Sequence, residues 1–151
     1  LYIPNVGKPL RITSLQSVTG GVFNNADIMR LDYAEEYTVS SMQQKPDASI
    51  LELEAKSADV AYAKLTMNVD RSTLVPRSID CHASSGMLIK TLTFSQPKDF
   101  GNGLVRPSVI ETTSPLQKGY RSIMIFAKIR SKQLPDEVFS LSYLPRLEEL
   151  R

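Results

Sequence analysis

Residues 69–94 read VDRSTLVPRSIDCHASSGMLIKTLTF, and the reading of this stretch decides the fold. It holds the chain's single His and single Cys, side by side as Cys81 and His82. Val75, Ile79 and Cys81 share one parity, against Ser78, Asp80 and His82, which predicts a strand with one buried face. The turn sequence ASSG follows, and then Leu88, Leu92 and Phe94 share a face that Lys90 interrupts. Neighbours on a strand point to opposite faces. Cys81 and His82 therefore cannot serve each other as nucleophile and base, and two adjacent residues lack the ligand number and spacing of a zinc site. The expectation is that Cys81 is a small buried hydrophobe and His82 a surface residue.

The same period of two extends in both directions. Ala63, Leu65, Met67 and Val69 alternate with Lys64, Thr66, Asn68 and Asp70. Ile123, Ile125, Ala127 and Ile129 alternate with Met124, Phe126, Lys128 and Arg130. The middle of that run is apolar on both parities, which predicts cover on both faces. Tyr37 to Met42, Ile50 to Ala55 and Leu104 to Thr113 add three weaker strands, with Pro107 favouring an edge or a bulge. The turn sequences DRST, ASSG, DFGNG and SPLQKG separate these runs. Connections so short join antiparallel neighbours, since a parallel crossover needs about a dozen residues or more. The chain reads as mainly β, a curved antiparallel meander. NNADIMRLDY, residues 24–33, breaks the period: Asn24 is a candidate cap with Asp27 three residues on, and Ile28 and Leu31 fall on one face of a short helix. LPDEVF adds a single turn with Pro135 at its first position. One domain over residues 1–151 is expected.

A length of 151 residues suffices for one real core. The net charge of +2, from 18 basic and 16 acidic residues, gives no reason to expect nucleic acid. Apolar runs such as Ile123 to Ala127 are far shorter than the ~20 residues of a spanning helix. A lone Cys excludes an internal disulfide without fixing the compartment. There is no GxSxG elbow. Gly101 to Gly103 lacks the Lys-Ser/Thr and the helix of a phosphate loop. Glu35–Glu36 and Glu148–Glu149 read as solvated charge, and Asp27 as a helix N-terminal acid. These readings predict no enzyme, no cofactor and no metal. What remains is a surplus of apolar side chains. Met67, Val69, Ile79, Leu92, Phe94, Ile123 and Ile125 could line an acyl cavity; the pattern by itself favours a filled core.

The quoted stretch resembles the outer-membrane lipoprotein-sorting proteins, the group around LolA and LolB. The pieces are Val69-Asp70 at a strand end, Pro76-Arg77 and Asp80 in the next strand, Gly86 at a turn, and Leu88 through Phe94 (LIKTLTF). Upstream, LYIPNVGKPLRIT resembles the family's first strands here, and Gly20, Phe23, Asp27 and Ile28 its entry to a helix. In the tail, LPDEVFSLSYLPRL is similar to its closing turn, with Phe139 and Leu144 as apolar anchors. The resemblance implies an unclosed antiparallel β-barrel with short helices over its mouth, a periplasmic location, acyl lipid or lipoprotein as partner, and no reaction. Family members are longer, so the chain is similar to their C-terminal part, and a leader or an upstream segment is expected before Leu1. The basic residue with which LolA engages cargo falls outside the similarity, so no residue here inherits that role. A sensor or regulatory module that binds an envelope protein is the alternative on the same fold. If Leu1 to Pro4 forms an open edge strand, a homodimer is expected.

Overall fold

The computed structural model describes residues 2, 7–29 and 32–150. It divides into two compact units, residues 14–129 and the two ends of the chain, 1–13 with 130–151.

The larger unit opens with two short helices, α1 (Asn25–Met29) and α2 (Tyr33–Glu36). Seven strands follow: β1 (Tyr37–Gln44), β2 (Ala48–Ala55), β3 (Lys64–Asp70), β4 (Pro76–His82), β5 (Leu88–Asp99), β6 (Val105–Thr113) and β7 (Arg121–Ile125). They pair in sequence order, each pair antiparallel, with β1 and β7 on the outside. The fold is thus the mainly β, unclosed sheet with short helices that the sequence predicts. The turns form where side chains can replace ladder bonds. After β3, Asp70 Oδ1 accepts from the backbone N–H groups of Ser72 and Thr73, 2.9 Å each, and from the Ser72 hydroxyl at 2.6 Å.

Register assigns the faces. Met42, Leu51, Met67, Ile79, Leu92, Thr112 and Ser122 lie opposite one another from β1 to β7. This row belongs to the inner face. Leu53, Leu65 and Cys81 lie on it beside one flank of the row, and Val69, Phe94, Ile110 and Met124 beside the other. Across β2 to β5 the outer face is mostly polar: Thr66 bonds Glu52 at 2.9 Å, Thr91 bonds Asp80 at 2.6 Å, and Lys64 pairs with Glu54 at 3.2 Å. One apolar and one hydrated face is the usual condition of an antiparallel sheet.

Three expectations change, and one lies outside the described residues. β7 stops at Ile125 and is an outer strand, so its two apolar parities are not covered on both sides: Ile123 and Ile125 are exposed. Pro107 sits on an inner strand, opposite Pro97, but β7 pairs with β6 from Val109 onward and β4 with β5 no further than Thr93. Each proline thus has no ladder partner on its far side, which is where a residue without an N–H is tolerated. The helix of residues 24–33 is two short pieces, and Ile28 is exposed while Ala26 and Asp27 are buried; Leu31 lies outside the described residues. The first strand over Leu1 to Pro4 also lies outside them, apart from Tyr2, which bridges Pro9.

In the second unit, Asp136–Phe139 and Leu141–Leu150 form 3-10 helices. Pro135 is the residue before the first turn rather than within it. Val138 is buried, and Phe139 is exposed rather than an anchor.

Candidate functional site

The inner face is closed at one end and open at the other. Phe23, Tyr37 and Tyr62 pack on Leu53, Leu65, Met67, Ile79, Cys81 and Leu92 in one buried cluster. The void left beneath α1 and α2 is about 20 Å³, lined among others by Asp27, Tyr33, Tyr62, Ile79 and Cys81, roughly room for one water. Beyond the cluster, Leu51, Val69, Phe94, Ile110 and Met124 are half-buried, and Val39 and Met42 are exposed, Met42 at 58 %. A band of apolar side chains therefore runs from one outer strand to the other with part of its surface in water.

The structure divides the predicted cavity residues into three groups. Met67, Ile79 and Leu92 share the inner face and are core residues. Val69 and Phe94 share that face in the half-buried band. Ile123 and Ile125 do not join them. Ile110 pairs with Met124, so β7 turns Met124 inward and sends Ile123 and Ile125 to the outer face, 46 % and 71 % exposed. Two isoleucines outweighed one methionine in the pattern, but the ladder decides by register. Leu51, Ile110, Met124 and Met42 take their place; only pairing identifies them.

A polar group holds the closed end. Asp27 and Asn24 cap reciprocally: Asn24 N–H donates to Asp27 Oδ2 at 2.9 Å, and Asp27 N–H to Asn24 Oδ1 at 3.2 Å. Lys90, which interrupts the apolar parity of β5, turns its ammonium inward to Asp27 Oδ2 at 2.8 Å and to the Val22 carbonyl at 2.6 Å. Tyr62 donates its hydroxyl to Asp27 Oδ1 at 2.6 Å and accepts from Asn24 Nδ2 at 2.9 Å. Burial, then the Asp27 charge, raises the Tyr62 phenol far above its ordinary range. Burial likewise raises the Cys81 thiol, as expected of a small buried hydrophobe. Gly21 allows the loop before α1 to meet β7, since a Cβ there would lie 2.7 Å from Ser122 Oγ, which accepts from Val22 N–H at 2.9 Å. A lysine at a core parity and an acid at a helix start were the sequence signals of this pair; nothing local pointed to Tyr62.

At the open end, Arg77 bonds Asp70 Oδ2 through Nε and Nη2, at 3.2 and 2.6 Å, and reaches Asp47 Oδ2 through Nη1 at 2.9 Å. Ser72 first and Arg77 second depress the Asp70 carboxyl; Arg77 depresses that of Asp47. Beside this cluster, where β4 ends and β5 continues, lies a notch of about 240 Å³ lined by Val75, Pro76, Phe94, Pro97, Val105 and Pro107, with Asp70 and Arg77 at its side. Among the described residues, no group of three His, Cys, Asp or Glu side chains is placed to hold a metal ion.

Comparison with known proteins sets this geometry in a family. A family model described as an uncharacterized protein matches residues 1–146. No curated protein matches the chain. Among solved structures, a LolA superfamily protein from Nitrosomonas europaea superposes with a TM-score of 0.79 at 26 % identity, over 95 % of this chain and 66 % of that one. An outer membrane lipoprotein-sorting protein domain from Vibrio parahaemolyticus, so described as putative, gives 0.78 at 21 % identity, over 96 % and 64 %. A DUF1329 family protein from Desulfovibrio piger gives 0.66 at 22 %, over 87 % and 57 %. The chain spans just under two thirds of the length of the first two. The motifs behind the sequence resemblance meet in space: Asp27 of the helix entry is the partner of Lys90 in LIKTLTF.

Proposed function

The chain belongs to the family matched over residues 1–146 and has the LolA-type fold, and from that premise we propose that it binds acyl lipid in the bacterial periplasm. The cargo is a lipid or a lipoprotein, held by its acyl chains along the inner face, and no reaction is involved. One observation carries this reading. The band Met42, Leu51, Val69, Phe94, Ile110 and Met124 crosses the open end of the sheet and leaves apolar surface in water. Burying such surface is worth about 25 cal/mol per Å², and an acyl chain is the ligand that needs nothing else. Met67, Ile79 and Leu92 form the floor of this site rather than its lining, because they are already packed.

The alternative is a regulatory module that binds an envelope protein. The small size of the void beneath α1 and α2, about 20 Å³, favours it, since no acyl chain fits in that space without movement.

Solvent extraction of the purified protein followed by mass spectrometry separates the two. Acyl lipids in stoichiometric amount support the carrier, and lipid-free protein that also fails to bind a fluorescent fatty acid supports the module. The face is tested with Met42→Glu and Met124→Glu, each expected to weaken the fluorescent fatty acid about tenfold, ~1.4 kcal/mol. Ile123→Glu, on the outer face, should leave it unchanged. Equal loss in all three variants would refute an inner-face site.

A further inference from the structure

We propose that the end of the sheet formed by the β1–β2, β3–β4 and β5–β6 turns docks on an anionic lipid surface, with Leu74 as its apolar contact. Alternate hairpins of a meander emerge at the same end, so these three turns lie together. They carry Lys45, Arg71, Arg77, Lys98 and Arg106 against Asp47, Asp70 and Asp99. Five of the chain's 18 basic residues and three of its 16 acidic ones are thus here, and the remainder of the chain is balanced. Asp47 and Asp70 pair with Arg77, while Asp99 accepts from the Gly101 N–H at 2.7 Å and stays exposed, so five bases against three acids leave this end a net +2. Lys45, Arg71, Lys98 and Arg106 remain exposed.

Leu74 is costly where it stands. Its φ of +57° is the left-handed region that Gly or Asn occupies with least strain. Its side chain is 76 % exposed. The turn is nonetheless firmly built: Leu74 N–H donates to the Asp70 carbonyl and Asp70 N–H to that of Val75, both at 2.9 Å. Arg71 ties it to the β1–β2 turn, through its N–H to Asp47 O at 3.2 Å and Nη1 to Lys45 O at 3.1 Å. Strain and exposure held in place by such a frame point to use rather than accident. Beside Leu74, the notch continues the apolar surface through Val75, Pro97 and Val105, the last exposed. An apolar protrusion fixed among cations is complementary to an interface whose headgroups are anionic and whose interior is hydrocarbon.

The test uses the whole chain with vesicles of phosphatidylcholine, with and without phosphatidylglycerol, in a flotation assay. Binding is expected to the mixed vesicles and not to phosphatidylcholine alone, and it should fall as salt rises. Leu74→Ser and Arg71→Gln should each weaken it about fivefold, the second in line with the contribution of one base near an anionic surface. Leu116→Ser, at the opposite end between β6 and β7, is the exposed-leucine control and should not change it. Met42→Glu should impair the fatty-acid probe and leave vesicle binding intact, so failure of the acyl reading and failure of this one are distinguishable. Absence of binding to either vesicle, or equal loss with Leu74→Ser and Leu116→Ser, overturns the proposal. A protein that recovers full binding on phosphatidylcholine alone overturns the anionic requirement and with it the role of the turns' charge.

Discussion

Lys90 Nζ lies 2.8 Å from Asp27 Oδ2, with 6 % of the lysine side chain and none of the aspartate in contact with solvent. Through that contact the loop and helix before the sheet are tied to the sheet's middle. Removing one partner leaves a buried charge alone, so Lys90→Ala should cost about 3–5 kcal/mol. Lys90→Met with Asp27→Asn should cost less than the two single changes added, with a coupling of about 0.5–3 kcal/mol. Urea midpoints of the four proteins measure this, and additive losses would show that the pair is not a unit.

Tyr62 supplies a pH dependence of defined sign. Its folded-state pKa is raised, by burial first and Asp27 next, and those of Tyr33, Tyr37 and Cys81 are raised mainly by burial. A raised acid keeps its proton longer in the folded state than in the unfolded one. Its contribution is therefore complete below the unfolded value, ~8.5 for Cys and ~10 for Tyr, and is lost as pH rises beyond it. Stability should be level near neutrality and fall steeply above about pH 10. Tyr62→Phe should cost about 1–3 kcal/mol at pH 7, because Asp27 and Asn24 each lose a partner. The same variant should make the alkaline fall shallower by about one proton. An unchanged slope would remove Tyr62 as a contributor.

Cys81 is 1 % exposed and its thiol is held protonated. A maleimide should label it slowly in native protein and fast in denaturant. Rapid labelling at neutral pH without loss of structure would mean that the cover over β4 opens easily.

Leu74 should be improvable. Leu74→Asn keeps the turn and suits a positive φ, and it is expected to raise stability by roughly 0.5–1 kcal/mol while weakening vesicle binding. Thermal unfolding and flotation on the same sample read both effects.

The sequence by itself determined the strands, their order and the nature of their neighbours. Alternation fixes a strand wherever one face is apolar, and turns of a few residues leave no choice but antiparallel pairing. It also determined the Asn24–Asp27 cap, because reciprocal capping is local, and the burial of Cys81, because parity with Ile79 sufficed. Only the tertiary structure decided which face Met124 and Ile125 occupy. Both parities of β7 are apolar, and register with Ile110, a contact between strands, breaks the tie. Lys90 and Asp27 are 63 residues apart, and so neither alone announces an ion pair. The division of the inner face into a closed core and an open band depends on where the loop before α1 lands. That is fixed by Ser122 against Gly21 and by Tyr62 against Asp27, long-range contacts that no local period encodes.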